Sequence, residues 1–274
     1  MMNSFKITKK DILISKKKCH DYRKRILDIS QKVSALHIGG AFSCLEILNF
    51  IYSHLLSKKK TKKDLFILSK GHSAIAQYVI LESMGILKKK DLDAYCTKDG
   101  ILGCHPDIEN SGINASTGSL GHGLGMATGI AHAFKINKTK QKCIVVLSDG
   151  ELQEGSTWES LMMAANLELD NLIIFLDHNG SQSFGHTKNT HPKFYPIFDK
   201  IKSFQVACAI AEGHNIMSIS KSLNKIINKK SPKFIICNTI KGKGVSFMEG
   251  KPIWHYRSPT ADEYNIALRD IKKL

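Results

Sequence analysis

The chain alternates between apolar runs and lysine-rich polar stretches, and the spacing of its apolar positions changes along its length. Residues 8–33 mix apolar positions with many charges and predict a long, largely polar helix. Residues 43–57 are apolar at helical spacing. Ser43, with Glu46 three residues on, reads as the capped start of that helix. The short run from Leu65 to Ser69 predicts a buried strand, which leads through Lys70-Gly71-His72 into a helix over 73–84. Residues 97–125 are glycine-rich and irregular, and a helix of small residues follows over 124–134.

The clearest unit comes next. Residues 143–147 predict a buried strand and residues 156–168 a helix, with Ser156 as N-cap and Glu159 closing a capping box. Residues 172–176 predict a second buried strand. A strand, a helix and a strand within this distance make a right-handed crossover in a parallel sheet. Further strands are expected at 204–209 and 234–238, with a helix over 216–228 between them. The fold class is therefore α/β: a doubly wound, mostly parallel sheet with helices on both faces. No repeat or Pro/Ser-rich linker divides residues 1–274, so a single domain is expected, with the segment 240–274 packing on it.

Composition adds exclusions. At 42% apolar and 23% charged, the chain has ordinary globular usage. No run approaches the ~18 apolar residues of a membrane span, and no signal-peptide core is present, so a cytoplasmic protein is expected. The seven cysteines are scattered without CxxC spacing, which points to reduced thiols. The net charge is +16, but the only arginines are Arg23, Arg25, Arg257 and Arg269. Lysine runs at 58–60, 62–63 and 88–90 read as solvated loops, which argues against nucleic-acid recognition and leaves attraction of anionic metabolites.

Candidate chemistry follows the two central strands. After the first comes Ser148-Asp149-Gly150-Glu151, and after the second comes Asp177-His178-Asn179-Gly180. Ligand sites in open α/β sheets lie beyond the carboxyl ends of strands, so Asp149 and Asn179 are expected to converge. A carboxylate and an amide oxygen suit Mg²⁺ or Ca²⁺, with water and a substrate phosphate completing the shell. Gly150 allows close backbone approach to such a phosphate. Asp-Gly and Asn-Gly are also ordinary turn pairs, and on the residues alone both readings stand.

Asp149-Gly150 followed thirty residues later by Asn179 resembles the thiamine diphosphate fingerprint. The stretch 148–155, with Trp158-Glu159 and 169–173, is similar to transketolase. His37-Ile38-Gly39-Gly40, Leu68-Ser69-Lys70-Gly71-His72, Gly103-Cys104-His105-Pro106-Asp107, the glycine loop 117–123, and Thr239-Ile240-Lys241-Gly242-Lys243-Gly244 with Trp254-His255 resemble further segments of that family, in its order. The resemblance covers nearly the whole chain but only the amino-terminal half of a full-length transketolase. It identifies the N-terminal, diphosphate-binding subunit of a split enzyme.

The resemblance implies transfer of a two-carbon ketol unit from a ketose to an aldose, as free sugars or phosphates, with thiamine diphosphate and Mg²⁺, or Ca²⁺ or Mn²⁺, as cofactors. It implies Asp149, Asn179 and the Ser181 carbonyl as metal ligands, and Gly150 and Glu151 as amide donors to the diphosphate. Gly118, Ser119, Leu120 and Ser183 would line the cofactor. His72, His105 and His255 would face the diphosphate, thiazolium or substrate, and His37 the entrance. Glu154 would lie between paired cofactor sites. The glutamate that the family uses to protonate the aminopyrimidine ring belongs to the other half. A partner subunit carrying the pyrimidine-binding domain is therefore expected, in an α2β2 heterotetramer. Ser148, Ile38, Ser119, Ser183-Phe184 and Tyr256 depart from the family pattern, and Ser183 and Tyr256 bear on the acceptor pocket. The competing readings are the α chain of a 2-oxo acid dehydrogenase, a deoxyxylulose-phosphate synthase, a specialised enzyme making a branched sugar, and a non-catalytic interaction protein. The histidine segments favour transketolase over the first two.

Overall fold

The structure is a computed structural model that describes residues 5–57 and 63–273. The lysine run at 58–60, with Lys62, lies outside the described residues. Helix α1 (Lys9–Ser30) begins at Thr8, whose hydroxyl accepts from the Asp11 amide while the Asp11 carboxylate accepts from the Thr8 amide. Helix α2 (Ile38–Phe50) runs on into a wider π turn, Ile51–Leu55. It starts five residues before the expected Ser43. The glycine pair ahead of Ser43 is already helical, and Gly39 is needed by the packing: a Cβ there would stand 2.6 Å from the Trp254 carbonyl oxygen. Ser43 is therefore inside the helix and caps nothing. Its hydroxyl donates to Asp177 Oδ2 at 2.5 Å.

The remaining elements, in order, are β1 (Leu65–Leu68), α3 (Ala74–Ser83), α4 (Lys89–Asp93), α5 (Gly123–Ile136), β2 (Cys143–Ser148), α6 (Gly155–Asn166) and β3 (Leu172–His178). After these come a small hairpin of β4 (Ser181–Gln182) and β5 (Gly185–His186), α7 (Thr187–Thr190), α8 (Ile197–Ser203), β6 (Ala207–Glu212), α9 (Ile216–Ile226), β7 (Lys233–Asn238) and α10 (Ala261–Ile271). Three expectations shift. Lys88–Lys90 open the short helix α4 rather than a loop, with their side chains exposed. Helix α6 starts at Gly155 with Glu154 as its N-cap, because Ser156 instead donates to the Gly121 carbonyl at 3.0 Å; no capping box with Glu159 forms. The strand expected at 204–209 begins at Ala207, since Ile197, Ile201 and Phe204 recur at helical spacing and α8 takes the first two and ends on Phe204 as its C-cap.

The five long strands form one parallel sheet in the order β1-β2-β3-β7-β6. Both faces are apolar, as a sheet covered on two sides requires. Ile144, Val146, Ile173, Phe175 and Ile235 face α1, α2, α3 and α9. Val145, Leu147, Ile174, Leu176 and Ile236 face α5, α6 and α8. The segment after β7 lies against the start of α2, with Gly242 N donating to the Gly39 carbonyl at 2.9 Å and Arg257 N to that of Leu36 at 3.1 Å. It ends in α10, whose Tyr264 hydroxyl donates to Asp28 on α1. Among the described residues no helix is long and apolar enough to cross a membrane.

Candidate functional site

Strands β2 and β3 are direct neighbours, with Ser148 level with Asp177. The turns that leave them therefore meet. Asp149 is buried, and its Oδ2 accepts from the Gly180 amide at 2.6 Å. Its Oδ1 accepts from the Gly150 amide at 3.0 Å. Gly180 has a left-handed φ of +69°, which a side chain would strain, and it turns the chain back towards Asp149. Asn179 Oδ1 accepts from the amide of Ser181, which is buried at the start of the small hairpin.

Beneath these turns lies a polar hub. Lys70, fully buried, forms an ion pair with the fully buried Asp177 and also donates to the Gly40 carbonyl oxygen at 3.0 Å. Asp177 further accepts from Ser43 and Thr239 at 2.5 Å each, and from Asn179 Nδ2 at 3.3 Å. Burial works to raise the Asp177 carboxyl, but Lys70 and the hydroxyl donors hold it below the ordinary range. Burial likewise works to depress Lys70, and Asp177 reverses it. Because Asp177 and the Ser43 oxygen take the Asn179 amide hydrogens, its carbonyl oxygen is the end left to accept, and it does so from Ser181 N.

The four histidines of the separate segments converge beside this hub. The His37 ring, at the N-cap of α2, lies 5.3 Å from that of His72, 6.4 Å from His105 and 5.2 Å from His255, centroid to centroid. His72 and His255 lie 5.5 Å apart. The exposed Tyr256 ring is tilted over His37 at 4.5 Å. Burial, then the neighbouring His105 and Lys241, lowers His37 to about 4. Burial and Lys241 lower His255 to about 3. Burial and Lys70 take His72 well below its ordinary value, and burial lowers His105. The cluster is thus four neutral imidazoles beside two buried lysines. Such rings offer one donor and one acceptor nitrogen each at neutral pH.

The glycine loop closes the other flank. Gly118 has φ +152°, and a Cβ there would stand 2.9 Å from the His105 ring. Ser119 is exposed and Leu120 half-buried beside it. The loop is anchored by the buried Glu151, which accepts from the Ser69 hydroxyl, from Gly121 N at 3.0 Å and from Ser148 N at 3.3 Å. Glu151 thus works through its side chain, while its amide meets Ser148 Oγ at 3.3 Å. Glu154 is exposed and packs under Gly121. Ser183 is exposed at the hairpin tip, next to Phe184, which is 88% exposed.

The donor set fits a hard divalent cation. Among the described residues no cluster of three or more His, Cys, Asp or Glu forms a metal cage. What converges is one buried carboxylate, one amide oxygen and backbone, which suits a cation that keeps water and phosphate ligands. Burial pushes Asp149 up to about 6, with Asp177 adding to the shift while His178 and the Gly180 amide oppose it. A bound cation would relieve that penalty. A Cβ on Gly155 or Gly180 would meet nothing within 4 Å, so the backbone faces open space there. Lys70, Asp177, Thr239 and Lys241 lie in the quoted segments, which assign them no role, and the structure makes them neighbours of the site. Their signal is present in the chain: Asp177 is the polar residue near the end of the apolar β3, and Lys70, Thr239 and Lys241 follow within three residues of the ends of β1 and β7.

Residues 14–270 match the family model for the transketolase thiamine diphosphate binding domain. A subunit of the apulose-4-phosphate transketolase of Phocaeicola vulgatus is 37% identical over 257 residues, 92% of this chain and 91% of that protein. A 6-deoxy-6-sulfo-D-fructose transketolase subunit from a Clostridium species is 33% identical over 92% of this chain and 94% of its own. The crystal structure of Campylobacter jejuni transketolase superposes with a TM-score of 0.89 at 25% identity, over 95% of this chain but 43% of that one. The chain thus spans less than half of that full-length enzyme.

Proposed function

The chain belongs to the transketolase family, as the N-terminal subunit of a split enzyme, and from that premise we propose that it builds half of a Mg²⁺-thiamine diphosphate site for two-carbon ketol transfer between sugars or sugar phosphates. The observation that carries this is the convergence of the Asp149 and Asn179 turns with His37, His72, His105 and His255 beyond the carboxyl ends of the central strands. Asp149, the Asn179 amide oxygen and the Ser181 carbonyl would hold the metal, with Ca²⁺ or Mn²⁺ as substitutes. The Gly150 and Glu151 amides, which here meet Asp149 Oδ1 and Ser148 Oγ, would have to release those contacts to receive the diphosphate, and Gly118, Ser119 and Leu120 would line the rest of the cofactor. When bound, thiamine diphosphate supplies the electron sink that makes carbon–carbon cleavage accessible. The chain's own part is positioning. Asp177 orients Asn179, Glu151 ties the glycine loop to β2, and the neutral imidazoles present hydrogen-bonding nitrogens without a charge to repel the metal. His37 stands at the entrance, Glu154 lies towards a second site, and Ser183 lines the hairpin side.

A partner chain with the pyrimidine-binding domain, in an α2β2 assembly, would complete the site. The names of the relatives, which are called subunits, and the exposed Phe184 beside the Asn179 turn support this. The two specialised relatives favour a modified or branched sugar over a common ketose phosphate as a second reading. The test is calorimetric titration of Mg²⁺ and thiamine diphosphate into the chain co-expressed with its partner, wild type beside Asp149→Ala. Binding that Asp149→Ala abolishes is expected. No binding in the intact complex would overturn the proposal and favour a non-catalytic role.

A further inference from the structure

Lys241 is fully buried on the turn after β7, where Gly242 N donates to the Gly39 carbonyl and Gly250 N to the carbonyl of Lys241 itself. Its stem packs on α2: a Cβ on Gly39 would stand 3.1 Å from Lys241 Cγ. Its ammonium lies 3.0 Å from His255 Nδ1. No carboxylate pairs with it among the described residues, in contrast to Lys70. His255 is half-buried, held between the turn at 252–255 and the rings of His37 and His72. Among the described residues its Nε2 has no hydrogen-bond partner, and the ring packs beside those of His37 and His72.

Burial lowers Lys241 to about 8, so at neutral pH it is mainly the ammonium, which has three N–H donors and no lone pair and can only donate to His255. Nδ1 must then be the bare, accepting nitrogen. The ring must be neutral, and its one proton must sit on Nε2. We propose that Lys241 is a positioning residue that locks His255 in the Nε2–H tautomer, so that His255 meets its ligand as a hydrogen-bond donor rather than as a base. The group it recognises is then an acceptor oxygen: a carbonyl, an alkoxide or a phosphate oxygen. The depressed basicity of His255 agrees: burial lowers it most, and the adjacent ammonium further resists a second proton on the ring. The tautomer follows from this chain's own geometry, and only its use on a sugar or cofactor oxygen rests on the ketol-transfer reading.

The test is two-bond ¹H–¹⁵N correlation NMR of the imidazoles in the full ¹⁵N-labelled chain, with His255→Gln identifying the His255 signals. The expected result is a neutral Nε2–H ring that loses its single-tautomer pattern in Lys241→Met and keeps it in Lys241→Arg. His214 is the internal control for folding, because its Nδ1 meets Glu46 at 2.8 Å and its Nε2 accepts from Ile240 N. An Nδ1–H or doubly protonated His255 in the wild-type chain overturns the proposal, whatever the variants do. So does an unchanged pattern in Lys241→Met. In the complex with the partner, Lys241→Met is expected to lower kcat at least about tenfold with a smaller change in donor KM, as loss of an aligned donor does. A wild-type complex that catalyses no ketol transfer refutes the ketol-transfer reading and leaves the NMR result standing.

Discussion

Replacing Asp177 by asparagine tests the electrostatic core of the site. In the native chain Lys70 has the Asp177 carboxylate and the Gly40 carbonyl oxygen as partners, with no exposure to water. The asparagine would keep the shape but only one oxygen, enough for either the Ser43 or the Thr239 hydroxyl, and it would leave Lys70 without its counter-charge. Removing one member of a buried ion pair costs about 3–5 kcal/mol. Lys70 can limit the damage by giving up its proton, which from an ordinary pKa of about 10.4 costs about 5 kcal/mol at neutral pH. The two bounds agree, and they take a large share of a domain stability of about 5–15 kcal/mol. Linkage adds a second signature. In the variant the folded-state pKa of Lys70 falls below the unfolded value, so the unfolded chain binds more protons between the two. Stability relative to wild type then rises with pH by about 1.4 kcal/mol per unit across that window. In the native chain the Lys70 pKa is raised, so its contribution is lost only as pH climbs beyond the lysine range. The assay is urea unfolding followed by far-ultraviolet circular dichroism, at neutral and at alkaline pH. The double variant Lys70→Met with Asp177→Asn is expected to recover most of the loss and to remove the slope. An Asp177→Asn chain within about 1 kcal/mol of wild type, or a loss that removing Lys70 does not relieve, would refute the reasoning.

Other predictions concern single positions. Asp149→Asn is expected to stabilise the metal-free chain at neutral pH. A folded pKa raised to about 6 means stability is lost as pH rises from the unfolded value through 6, and an uncharged residue abolishes that loss; pH-dependent melting checks this. Gly121→Ala, at φ +86° with its Cβ 2.5 Å from Ser156 Oγ, is expected to destabilise by about 2–4 kcal/mol, read as a lower melting temperature; a change under about 0.5 would contradict the crowding. Tyr256→Ala exposes His37 and is expected to change sugar KM in the complex while leaving stability within about 0.5 kcal/mol. A large loss of stability there would make Tyr256 a packing residue instead.

The parallel sheet was legible because each of its inner strands is an uninterrupted apolar run, which only a sheet covered on both faces can bury. The Asp149 and Asn179 turns were legible for a related reason: short polar pairs after such runs must emerge at one edge. Element starts were not. Ser43 and Ser156 both satisfy the local rule for a helix cap, yet each hydroxyl goes to a partner distant in sequence, Asp177 for one and Gly121 for the other.

The α/β class, the family and the segments that carry chemistry all follow from the order of residues, because periodicity and motif spacing are local properties of the chain. Packing sets what the side chains in those segments are worth. Lys70 opposite Asp177, Lys241 against His255 and Glu151 beneath the glycine loop are each joined across 14 or more residues. Protonation states depend on burial and on neighbours within a few ångströms, and those neighbours exist only once α2, the strand ends and the turn after β7 have packed together.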